Sequence, residues 1–172
     1  MSLIIVDCES DGPIPVDFSL ICFGAIIVDK DLDKTFYGRC KPISENWNPE
    51  ALHISKISRE EHLTFDDPKQ VFEDFHKWIS ENSKGKPIFI SDNLAYDWMW
   101  ICYYSWHFCN KNPFGFSGRR IGDIYSGLVN DSRATSEWKR FRQTRHSHHP
   151  VDDAKGNAEA LLSFSEHHRY RL

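Results

Sequence analysis

The chain lacks any cysteine pair at the short spacings of a zinc site or a disulfide framework. Its five cysteines, Cys8, Cys22, Cys40, Cys102 and Cys109, are odd in number and scattered. They read as reduced, mostly buried thiols. No apolar run is long enough to span a bilayer, the longest being Leu20 to Val28. The N-terminus shows neither the basic region nor the small-residue cleavage site of a secretory signal. A cytoplasmic protein with no membrane partner is the expectation. Repeats, low-complexity tracts and linkers are missing as well, so residues 1–172 are expected to form a single domain. The net charge of −4 is not the positive excess of a nonspecific nucleic-acid binder, although a local basic surface can coexist with an acidic cluster. What is present is 40% hydrophobic and 14% aromatic residues, which argues for a substantial core and against disorder.

Leu3 to Val6, Leu20 to Val28 and Thr35 to Cys40 read as three successive strands, with Gly12, Pro13 and Pro15 in the first turn. Val71, Phe72, Phe75, Trp78 and Ile79 recur at spacings of three and four, which predicts an amphipathic helix over Pro68 to Asn82 entered through Asp66-Asp67-Pro68. Ile88 to Ile90 is a short buried strand, followed by an aromatic-rich helix from about Ala95 to Phe108 with Asn93 as its N-cap candidate. A loop containing Pro113, Gly115 and Gly118 leads to a short helix near Ile124 to Val129, and the last helix begins at Pro150. An antiparallel meander followed by strand and helix units predicts an α/β domain built on a mixed sheet.

Three acidic elements stand out. Asp7 and Glu9 are two apart at the end of the first strand, so their side chains share a face. Two carboxylates side by side at the end of a buried strand are costly unless cations neutralise them, and a divalent metal fits. The alternative is a strand that ends in a solvated acidic turn. On the last helix Asp152 leads the stripe Gly156, Glu159, Ser163, whereas Asp153 leads Asn157, Ala160, Phe164. Asp153 therefore leans inward and Asp152 outward, where helix-dipole stabilisation is explanation enough. For Asp153 the preceding His146, His148 and His149 keep a site and plain helix stabilisation both open. Asp97 begins the face that continues through Ile101, Tyr104 and Phe108, at the carboxyl end of the strand before it. Ligands of α/β sheets collect there, while a partly solvated first-turn carboxylate is the other reading.

The order of these pieces resembles the DEDDh family of 3′-5′ exonucleases. The strings are IIVDCES (Asp7, Glu9), DNLAYD (Asn93, Asp97) and HHPVDDA (His148, Asp153), and they span nearly the whole chain. The segment Ala51 to Ser58 and the tripeptide Ile121-Gly122-Asp123 are similar to further segments of those enzymes. The opening DCESDGPIP is most similar to the small bacterial and phage exoribonucleases of the RNase AS type. Two departures are Asp92, where the family often has histidine, and Ser10-Asp11 after the first glutamate. The resemblance implies an RNase H-like fold with a mixed central sheet of about five strands flanked by helices. It implies a metal-dependent hydrolase carrying two divalent ions, Mg²⁺ or Mn²⁺, on Asp7, Glu9, Asp97 and Asp153, with His148 as general base. In that mechanism Asp97 reaches its metal through water, and the product is a nucleoside 5′-monophosphate.

Single-stranded RNA 3′ ends are the substrate expected first. Single-stranded DNA is the second reading, and a catalytically idle nucleic-acid-binding domain the third. Lys139, Arg140, Arg142 and Arg145 crowd the approach to His148, with Arg119 and Arg120 as further candidates, although such runs are often solvated. Ser10, Asn93, Arg119, Arg142, Arg145 and Trp47 are the expected substrate contacts. Trp98 and Trp100 are further stacking candidates, set against a core role for most aromatics of that helix. His146 reads as solvated or as touching a substrate phosphate, and His149 as flanking the cap. A homodimer is implied because RNase AS and RNase T resemble one another in pairing subunits.

Overall fold

A computed structural model describes all 172 residues. Strands β1 (Ser2–Ser10), β2 (Leu20–Ile27) and β3 (Thr35–Arg39) form the antiparallel meander. Two short helices follow, α1 (Pro49–Ser55) and α2 (Arg59–His62). Asn48 and Ser58 cap them by accepting from the amides of Glu50 and Glu61, which satisfies donors a helix start leaves unpaired. Then come α3 (Pro68–Asn82), β4 (Pro87–Ser91), α4 (Leu94–Cys109), β5 (Gly118–Arg120) and α5 (Ile121–Val129). A tight turn at Glu137–Phe141 and the long α6 (Pro150–His167) complete the chain. No helix is long and apolar enough to cross a membrane.

The five strands lie in the order β3-β2-β1-β4-β5, with β1 parallel to β4 and β4 parallel to β5. Period-two alternation splits the core into two layers. Ile4, Val6 and Cys8 face α3 and α4, where they meet Phe72, Phe75, Trp100 and Tyr104. Leu3 and Ile5 face the other way, among Trp138, Leu161 and Phe164. Asp7 and Glu9 continue the Leu3–Ile5 row, toward α6. Asp7 pairs in register with Gly24 of β2. That glycine matters: a Cβ there would collide with the backbone of Pro150 and Val151, so its absence lets the first turn of α6 settle on the sheet beside Asp7.

The long elements match their sequence expectations, α3 to the residue. The fifth strand was hidden in the loop before Ile121, because three residues, Gly-Arg-Arg, are too few for alternation to show. The helix expected near Ile124 begins at Ile121. Trp100 is not available for stacking: it is fully buried. Trp98 lies edge-on against Phe89 at the core margin.

Candidate active site

The site forms where β1 leaves the sheet and two helices begin. Asp7, Glu9 and Asp153 each bring a carboxylate oxygen within 4.8 Å of the others. Asp97 arrives from the opposite layer, through the first turn of α4, and its Oδ1 accepts the amide of Cys8 at 3.1 Å. Asn93 occupies the N-cap position of α4; its carbonyl accepts from the amides of Tyr96 and Asp97, while its side chain makes no capping bond and is exposed.

Crowding of buried acids shows in their proton affinities. Burial first, and then the charges of Asp97, Asp153 and Glu9, push the Asp7 carboxyl well above the usual carboxylate range, with Arg142 opposing them. Burial and the charge of Asp153 raise Glu9 to about 7. Burial raises Asp97 to about 8, against the stabilising amide of Cys8. Carboxylates held this close, with oxygens aimed at a common space, are a donor set for hard divalent cations. A divalent ion held there would favour the ionised carboxylates against both their burial and their mutual repulsion.

Asp153 is inward and buried, and Asp152 is exposed, as the two stripes predict. The Asp153 carboxylate accepts from three groups, Arg142 Nη2 at 3.0 Å and the amides of Ser147 and His148 at 3.0 and 2.9 Å, and His146 Nδ1 lies 2.8 Å from its Oδ2. His148 sits at φ 62°, a left-handed conformation uncommon for a residue with a Cβ. The hydrogen bond that its backbone N–H donates to Asp153 holds it there, and its Nδ1 faces Glu9 Oε1 at 3.5 Å. His149 is the N-cap residue of α6 and lies against Tyr37. His146 is exposed, in keeping with a solvated residue; its Nδ1 lies near Asp153 and its ring packs on His148 with centres 4.3 Å apart.

The expected basic approach is largely committed elsewhere. Lys139 pairs with Asp92 at 2.7 Å, which gives that departure from the family pattern a partner. Arg140 donates to the Tyr125 hydroxyl and lies over Phe141. Arg142 is spent on Asp153, and Arg120 on the Asp92 carbonyl and Asp123. Arg119 is exposed but lines a cleft with Lys86, Pro87 and Ile88, at the end of β4 that leads away from the carboxylates. Ser10 is buried, its hydroxyl engaged with the Gly12 carbonyl and the Tyr96 hydroxyl. The side chains of Arg142 and Ser10 are thus engaged within the protein, and Arg119 lies away from the carboxylate cluster. Arg145 is exposed and makes no ion pair. Trp47 is 42% exposed, in a groove of about 460 Å³ with Pro49, Leu52, His53 and Lys56. Lys56 Nζ donates to the Ser147 carbonyl, which ties that groove to the His148 loop.

The mixed five-strand sheet flanked by helices matches the RNase H-like fold of solved exonucleases. Residues 4–161 match the RNase T exonuclease family, and the chain belongs to it as a DEDDh-type 3′-5′ exonuclease. It is 31% identical over 159 residues to the 3′-5′ DNA exonuclease Cap18 of Escherichia coli, spanning 91% of this chain and 82% of that protein. Its fold is similar to the nuclease domain of 3′hExo, a DEDDh family member, bound to rAMP: TM-score 0.77, 15% identity, 99% of this chain and 94% of that one. It is also similar to E. coli Exonuclease I in complex with a dA16 oligonucleotide, with TM-score 0.70, 14% identity, and coverage of 98% of this chain and 42% of that one. DEDDh exonucleases use divalent metal ions, and the carboxylate cluster is where this chain has ligands for them.

Proposed function

We propose that the chain hydrolyses single-stranded nucleic acid from its 3′ end, releasing nucleoside 5′-monophosphates with the help of two divalent ions, Mg²⁺ or Mn²⁺. The observation that supports this reading best is the convergence of Asp7, Glu9 and Asp153 within 4.8 Å, with Asp97 entering from the opposite layer. Four carboxylates match the charge of two divalent ions, which when bound supply Lewis-acid charge at the attacking and leaving oxygens. Asp7, Glu9 and Asp153 would hold one ion, and Asp7 with Asp97 the other. His148 takes the proton of the attacking water. Its Nδ1 faces Glu9, which leaves Nε2 for that proton. Trp47 offers a face on which a terminal base can stack, and Arg145 a free cation for the backbone.

DNA is placed first as the substrate, because the 31% identical relative is a DNA exonuclease. RNA is the second reading, favoured by the likeness of the opening DCESDGPIP to the RNase AS group. Matched single-stranded DNA and RNA, labelled at the 5′ end and incubated with Mg²⁺, Mn²⁺ or EDTA, separate the two. Metal-dependent shortening of DNA at the higher kcat/KM supports the first, and the reverse preference supports the second. No metal-dependent shortening of either sinks both.

A further inference from the structure

We propose that Arg142 is a positioning residue for the exonuclease reaction: seated in a notch that Gly156 leaves on α6, it aims Asp153 and, through Asp153, the loop that carries His148. This rests on the reading of Asp153 as a metal ligand. The Arg142 side chain is only 11% exposed. Its Nη2 donates to Oδ1 of Asp153 at 3.0 Å and to the Asp153 carbonyl at 3.4 Å. A Cβ on Gly156 would lie 2.6 Å from Nε of Arg142, 2.8 Å from Nη2 and 2.7 Å from the Thr144 carbonyl, so no larger residue shares that space. The guanidinium thus crosses the helix at the one place without a side chain.

Asp153 then passes the order on. Both oxygens of its carboxylate receive backbone amides, Ser147 to Oδ1 and His148 to Oδ2, so fixing that carboxylate fixes the loop. The left-handed turn at His148 depends on the same pair of bonds. A second pin lies farther along α6, where Glu159 accepts the Gln143 and Thr144 amides and the Thr144 hydroxyl. Residues 142–149 are thereby strapped to α6 at two acids. Both bonds to Asp153 come from Nη2, and the rigid guanidinium plane, with Nε buried against Gly156, fixes the direction of that donor better than a freely rotating ammonium would. A catalytic base and a metal ligand held by one small network are placed before substrate arrives.

The test compares Arg142→Ala, Arg142→Lys and Gly156→Ala, reading kcat, KM for 5′-labelled single-stranded DNA or RNA, and amide hydrogen exchange of the metal-free proteins. Arg142→Ala and Gly156→Ala should each lower kcat by about 30-fold or more, because small misplacements are costly, while KM stays within about threefold. Exchange protection of the Ser147 and His148 amides should fall by about tenfold in both. Arg142→Lys should recover part of the lost kcat. An Arg142→Ala enzyme with raised KM, unchanged kcat and a shallower salt dependence would make Arg142 a phosphate contact and overturn the proposal. Unchanged protection of both amides overturns it too. The underlying reading has its own readout: Mn²⁺ should raise the Tm of the wild type by clearly more than that of Asp153→Asn, which keeps only the Asp7 and Asp97 site intact. A wild type indifferent to Mn²⁺ removes the metal role of Asp153, whatever the amides show.

Discussion

Asp11 and Asp7 lie four residues apart around the end of β1, and they meet burial in opposite ways. Asp11 is fully buried yet matched: Arg59 Nη1 donates to it at 2.9 Å, the Ser19 amide donates to its other oxygen, and His62 Nδ1 lies 3.6 Å away. Asp7 shares its surroundings with Glu9, Asp97 and Asp153, and the guanidinium built into that cluster, Arg142, is bonded to Asp153 rather than to Asp7. Burial raises the Asp11 carboxyl to about 6 even with Arg59 opposing it, while Asp97 stands at about 8. The first arrangement supplies its own cation and ties the loop after β1 to α2. The second gathers acid that its own residues do not balance, which destabilises the protein until cations bind.

Removing charge separates the two regions most sharply. Asp7→Asn, Glu9→Gln, Asp97→Asn or Asp153→Asn should each lower kcat on the order of 10³-fold or more, with substrate binding changed far less. Single-turnover kinetics beside a binding titration on EDTA-treated protein checks this. Asp11→Asn should instead unfold the protein more easily, by about 3 kcal/mol, because it strands Arg59 in a site that is nearly closed to solvent. Its kcat per folded molecule should fall much less than that of the Asp7 variant. Urea denaturation against kcat decides, and equal catalytic losses would erase the distinction between the clusters.

The pH dependence follows from the directions of the shifts. Glu9 and Asp97 have folded-state affinities for protons raised to about 7 and about 8, so their contribution to stability is fully present below the ordinary carboxylate range. It is lost as pH rises through 7 and 8, where both must ionise. In EDTA the Tm should therefore fall between pH 6 and 8.5, and saturating Mn²⁺ should reverse that fall, because the ion binds the ionised acids. Asp97→Asn should flatten the EDTA profile. His62, lowered to about 4 by burial and then by Arg59, works at the other end: its contribution is present above about pH 6.5 and is lost as pH falls through 4.

Gly24→Ala probes how the catalytic side of the comparison is assembled. The added methyl meets the backbone of Pro150 and Val151 and should push the start of α6 off the sheet, costing about 1–3 kcal/mol. The loss of kcat should exceed what the loss of stability explains, since Asp153 moves with that turn. The smallest effect expected is that of Arg145→Ala: a drop of about 0.7 in the salt slope of single-strand binding with kcat unchanged. A fluorescence titration at several salt concentrations measures it.

Much of the site could be read without coordinates. Alternation along β1 put Asp7 and Glu9 on one face, and the step of three and four along α6 chose Asp153 over Asp152. By helix geometry the stripe Gly156 and Glu159 lies on the outward side of α6. The structure covers it with the Arg142 strap, so an outward face of a helix became the inner face of a loop. Periodicity describes a helix against its own axis, and it says nothing about an irregular segment laid across it. Trp100 was ambiguous for a related reason: with Asp97 as its one acid and no lysine or arginine, α4 is apolar almost all round, so its buried side carried no contrast. The basic run before His148 looked like a nucleic-acid surface because charge was visible and partners were not. Asp92, Tyr125 and Asp153 claim most of it.

By itself the sequence determined the chemical inventory: which carboxylates share a face, which histidine stands five residues before the inward aspartate, and the order in which the catalytic candidates occur. Those follow from local periods of two and 3.6, which a chain carries without knowing its partners. Only the tertiary structure decided which charges are spent and which are free. Gly24 had to meet Pro150 for Asp153 to reach Asp7, and Gly156 had to receive Arg142 for Asp153 to be aimed. Contacts such as these join residues far apart along the chain, and close packing, not spacing in the sequence, sets where they meet.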